Sequence, residues 1–69
     1  MSLANEASYL YSYSKELQKL NKKMHKVSGK VKEQDDKHSK ELKKLVKEHK
    51  EIMNRIRYHY HRFYKALHH

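Results

Sequence analysis

The chain has no cysteine, no proline and no tryptophan, and only one glycine, Gly29. Without cysteine, neither a disulfide nor a thiolate metal site can brace the fold. Without proline, and with one glycine in 69 residues, strands joined by tight turns are not expected. Acidic side chains are scarce too: eight Asp and Glu against seventeen Lys and Arg give a net charge of +9. No apolar run approaches the length of a membrane span or of a signal-peptide core, so the expectation is a cytoplasmic protein without a transmembrane segment. Apolar residues make up 36% of the chain, a small share for one domain of this size, and a second copy is the obvious way to complete a core.

What the chain does have is heptad order. Leu42, Leu45, His49, Ile52, Ile56, His59, Phe63 and Ala66 alternate at spacings of three and four, which is an a/d seam. It predicts a second helix over about residues 38–67. Upstream, Leu3, Leu10, Leu17, Met24 and Val31 fall on a positions, with Glu6, Tyr13, Leu20 and Val27 on the matching d positions. A first helix over about residues 3–32 follows, with Ser2 as its N-cap and Glu6 as a polar misfit near its start. Gly29 lies at an outer f position, where it either ends the helix or weakens it by about 1 kcal/mol.

Between the seams, residues 32–41 hold no apolar side chain, and Asp35, Asp36 and Ser39 are suitable N-caps. A polar turn over about residues 33–37 would fold the arms into an antiparallel hairpin, a single all-α domain spanning residues 1–69. The alternative is one continuous helix of about 100 Å. Heptad phase favours the hairpin. Folding between Gln34 and Asp35 sets every a position of one arm against a d position of the other. Glu6 then meets Phe63, Leu10 meets His59, Tyr13 meets Ile56, Met24 meets Leu45 and Val27 meets Leu42. At the g flank this register brings Lys30 to Glu41, Lys23 to Glu48, Glu16 to Arg55 and Tyr9 beside Arg62.

The e flank carries no charge. It reads Ala7, Ser14, Asn21 and Ser28 on one arm, and Ser39, Val46, Met53, Tyr60 and Leu67 on the other. Small residues beside large apolar ones suit a second hairpin, so Ala7, Ser14, Asn21, Val46, Met53, Tyr60 and Leu67 are the expected homodimer interface of a four-helix bundle.

Seven histidines are present, but no two are three or four residues apart on one helical face, and no metal site is expected. His38, His49 and His59 occupy seam positions. Burial of imidazoles disfavours their charged form, so they form a candidate pH-sensitive core whose stability would fall as pH drops through about 6.5. Aromatic residues gather at the chain ends, at Tyr9, Tyr11, Tyr13, Tyr58, Tyr60, Phe63 and Tyr64, and a hairpin would join them into one pole. Tyr11, Tyr58 and Tyr64 fall on outer positions among Arg57, Arg62 and Lys65, where they could stack on bases or meet a protein. Lys22, Lys26, Lys43, Lys44, Lys47, Lys50, Arg57 and Lys65 line the outer faces, a candidate surface for a phosphate backbone or an acidic partner.

Nothing points to catalysis: there is no thiol, no glycine-rich phosphate loop and no carboxylate pair, and two layers of helix leave no room for a small-molecule substrate or cofactor. Leu20, Met24 and the run Ser39-Lys40-Glu41-Leu42 resemble small helical-hairpin phosphatases acting on sporulation response regulators. Lys43, however, stands where that family has an acidic residue, so that activity is not carried over. In size and plan alone, the expected dimer is similar to plasmid copy-control RNA-binding bundles. The reading is a non-enzymatic basic coiled-coil scaffold for homo-oligomerisation and protein–protein interaction. Nucleic-acid binding is the alternative, and a designed helical sequence without a biological role is a third.

Overall fold

A computed structural model describes residues 2–31 and 36–68. The part of the expected polar turn at residues 33–35 lies outside the described residues. Two helices make the fold: α1, Leu3–Ser28, and α2, Asp36–Leu67, packed antiparallel with no strand among the described residues. The molecule measures 53 × 14 × 12 Å between Cα extremes, so the chain doubles back rather than running on as one rod.

α1 begins where its first amides find an acceptor. Ser2 is extended (φ −98°, ψ 134°), its Oγ accepts from the Asn5 N–H at 3.4 Å, and its carbonyl accepts from the Glu6 N–H at 3.1 Å. The helix stops at Ser28, earlier than the heptad pattern suggests. The Gly29 amide still reaches the His25 carbonyl, but Lys30 and Val31 bond Val27 and Ser28 instead, so the last turn tightens to three-residue spacing. Gly29 keeps a right-handed conformation (φ −67°, ψ −17°), so the helix ends without a left-handed reversal of the backbone.

The packing follows the a/d seam. Leu20, Val27 and Leu45 are buried, and Met24, Leu42 and Ile52 pack on them as the half-buried rim of one cluster. That cluster joins members of the expected Met24–Leu45 and Val27–Leu42 layers, and it sits in the half of the hairpin nearer the turn. Each buried aliphatic side chain stabilises by roughly 1.5–3 kcal/mol. Toward the open end the seam residues Leu10, Tyr13, Ile56, Phe63 and Ala66 are only half-buried. Among the described residues no side chain is wholly sealed from solvent, so the core is shallow.

The g-flank charges do less than the register allows. Among the described residues, Lys30 with Glu41, Lys23 with Glu48 and Glu16 with Arg55 form no ion pair. Exposed pairs of long side chains gain little from being held in one geometry. The ion pairs that do form converge on a residue inside the seam.

Candidate functional site

That residue is Glu6. The heptad pattern sets it against Phe63, but its carboxylate instead accepts from His59 Nδ1 at 2.7 Å and from Arg62 Nε at 3.0 Å. With both oxygens engaged it is only 3% exposed, the one buried charged residue of the described chain. The His59 bond, together with the bond to Arg62 and the charges of both partners, holds the Glu6 carboxyl below its ordinary 4.5, against the opposing effect of burial. Arg62 is correspondingly raised, by its bond to Glu6 first and then by one to Tyr58. An ionised carboxylate has no proton to give, so Nδ1 of His59 carries the shared hydrogen.

Aromatic rings enclose this pair. Tyr9 stacks on His59 at 4.4 Å and 16°, Tyr13 lies on it at 5.6 Å and 27°, and Tyr58 meets it edge-on at 5.1 Å and 82°. The Arg62 guanidinium sits 5.2 Å from the Tyr58 ring centre while Nη1 donates to the Tyr58 hydroxyl at 2.7 Å. Arg55 lies over Tyr13 at 5.9 Å. The open pole is thus tied together by a polar and aromatic cluster where the turn half uses aliphatic packing. Sequence reasoning placed Glu6 as a misfit and missed this cluster. The signal was there: Arg62 precedes Phe63 at a flanking position, and His59 is one helical turn away on the same seam.

The uncharged flank is exposed at most of its positions. Ala7, Ser14 and Asn21 are exposed on α1, and Val46, Tyr60 and Leu67 are 51%, 61% and 57% exposed on α2, while Met53 is half-buried. Shallow grooves border it, one lined by Ser14, Leu17, Gln18, Asn21, Lys22 and His25, another by Ser39, Leu42, Lys43 and Val46.

The eight cations Lys22, Lys26, Lys43, Lys44, Lys47, Lys50, Arg57 and Lys65 are all exposed and spread over both helices rather than gathered into one patch. His38, His49 and His59 are half-buried along the seam, and His59 meets the Glu6 carboxylate. Among the described residues no group of three or more His, Cys, Asp or Glu could hold a metal ion. No helix among them is long and apolar enough to cross a membrane. No family model, curated protein or solved structure matches the chain.

Proposed function

We propose that the protein is a non-enzymatic, basic helical scaffold whose hairpin pairs with a second copy along the uncharged flank to form a four-helix bundle. The observation that carries this reading is the exposure of Val46, Tyr60 and Leu67 beside the small side chains of Ala7, Ser14 and Asn21. Large apolar and small uncharged surfaces side by side let two such flanks interdigitate, and neither would bring like charges together.

The area supports it. The hairpin leaves 5932 Å² accessible, whereas a compact monomer of 8.5 kDa would leave about 4,700 Å². The excess of about 1,200 Å² exceeds the roughly 800 Å² that each partner contributes to a stable interface. A shallow core with no sealed side chain among the described residues is what one half of a bundle looks like on its own. In such a dimer Met53, already half-buried, would join the new core, and the outer lysines would keep the particle soluble.

Light scattering after gel filtration, combined with small-angle X-ray scattering, tests the proposal. The expected result is twice the 8.5 kDa of one chain in a particle close to 53 Å long. A single-chain mass at every concentration would overturn it. A dimer near twice that length would show end-to-end pairing and move the interface away from this flank.

A further inference from the structure

Exposed apolar surface is not spread evenly along the hairpin. Among the described residues eight large hydrophobic side chains are exposed: Leu3, Tyr9, Tyr11, Tyr58, Tyr60, Tyr64 and Leu67 lie at the open pole, and Val46 lies in the turn half. Five of the seven are tyrosines. The flank opposite the proposed dimer surface holds Tyr9, 50% exposed, and Tyr58, 57% exposed, with Arg62 5.2 Å from the Tyr58 ring centre and Arg55 and Lys65 on the same side of α2 by their heptad positions.

The charge of this flank is one-sided for a structural reason. From Ile52 to His69, α2 and its end contain no Asp or Glu, and before Lys15 the only acidic residue is Glu6. Glu6 is buried and forms with Arg62 a pair of no net charge, so the excess positive charge of this flank comes from Arg55 and Lys65. The next carboxylate along α1 is Glu16, about 15 Å further on. Arg62 meanwhile keeps its Nη2 without a hydrogen-bond partner among the described residues, since Glu6 takes Nε and Tyr58 takes Nη1. Beside Tyr9 a shallow groove is lined by Asn5, Ser8 and Ser12, whose amide and hydroxyls can both donate and accept.

We infer that this flank of the open pole is a binding surface for single-stranded nucleic acid, with Tyr9 and Tyr58 as stacking faces and Arg55, Arg62 and Lys65 as contacts to the phosphate backbone. Unpaired bases present flat apolar faces next to a negative backbone, and the flank offers exposed rings next to cations. A duplex hides those faces, so it would engage only the cations. A second copy is disfavoured here because a two-fold contact would set Arg55, Arg62 and Lys65 against their own counterparts, whereas the other flank carries no charge. The inference stands apart from the proposed dimer, which uses the other flank and leaves this one outward.

The test is fluorescence anisotropy of labelled oligothymidylate and oligouridylate of about sixteen nucleotides at about 0.15 M salt, beside a duplex of equal length. Both single strands are expected to bind at least about tenfold more tightly than the duplex. Tyr9→Ala and Tyr58→Ala should each weaken binding by about five- to a hundredfold, which is the loss of one stacked base. Tyr58→Phe keeps the ring while releasing Arg62 Nη1, and should recover most of the affinity that Tyr58→Ala loses; Lys43→Ala with Lys47→Ala, in the turn half, should change affinity little. Circular dichroism confirms folding, and the Tyr58 pair carries the test should Tyr9→Ala unfold the pole. Equal affinity for duplex and single strand, or equal losses from the lysine and tyrosine variants, would reduce the surface to a nonspecific charge effect and overturn the inference. A change in solution mass for Tyr58→Ala would assign the pole to self-association and overturn it as well.

Discussion

A carboxylate at a d position would normally spoil its layer, and Glu6 avoids this because His59 and Arg62 on the other helix both donate to it. The consequence is a pH dependence of definite sign. The Glu6 carboxyl is held below its ordinary 4.5 when folded, so the unfolded chain binds the proton more readily. The stability this provides is present above pH 4.5 and is lost as pH falls through the lower folded value. Melting temperature should therefore decline from about pH 5 downward. Glu6→Gln should flatten that decline; a decline of equal slope in the variant would show that other carboxylates cause it. The expectation from sequence has the same sign but other groups, the seam imidazoles, acting through about pH 6.5. Hydrophobic periodicity ranks burial and cannot tell that His59 will face a carboxylate, because that depends on a side chain 53 positions away. At the turn half the outcome is simpler. Leu45 is 3% exposed against Leu20 and Val27, and Leu45→Ala should cost about 2–5 kcal/mol by chemical denaturation. A loss under 1 kcal/mol would mean that this cluster is not the main support.

The helices themselves were legible because seam residues repeat without a break over both arms, and every a or d position among the described residues is buried or half-buried except Leu3. Their ends were not, because they depend on a few hydrogen bonds that periodicity does not encode. α1 is the clearest example. The seam runs on through Val31, yet amides after Gly29 turn to nearer carbonyls. Gly29 holds a conformation any residue accepts, and a Cβ there would lie 3.5 Å from the Lys26 carbonyl oxygen and 3.8 Å from that of His25, ordinary contact distances. Gly29→Ala should therefore stabilise the fold by about 0.4–1 kcal/mol, mainly by restricting the unfolded chain. Thermal melts at matched concentration measure this, and a lower midpoint would mean that the turn needs a conformation alanine resists. The g-flank ion pairs were legible as a register and not as contacts. Lys23 and Glu48 can lie opposite one another and still prefer water, since an exposed pair gains so little from being fixed.

At the scale of the molecule, folding and association are expected to be one equilibrium. The two poles are held by different means, aliphatic packing near the turn and the Glu6 cluster at the open end, and neither seals a side chain completely. If the uncharged flank is where a second hairpin completes the core, unfolding begins from a dimer and its midpoint must rise with concentration. For two 69-residue chains, each tenfold increase should raise the melting temperature by about 5 °C. Val46 and Tyr60 are 51% and 61% exposed in the single hairpin, so placing lysine at both positions removes little that one chain needs for itself. The pair Val46→Lys and Tyr60→Lys would set four new positive charges against one another across a two-fold interface that has none. The expected outcome is a helical chain of single mass whose lower melting temperature no longer depends on concentration, read by circular dichroism and light scattering. A double variant that keeps both the dimer mass and the concentration dependence would show that the twin binds elsewhere, and the flank's lack of charge would need another cause.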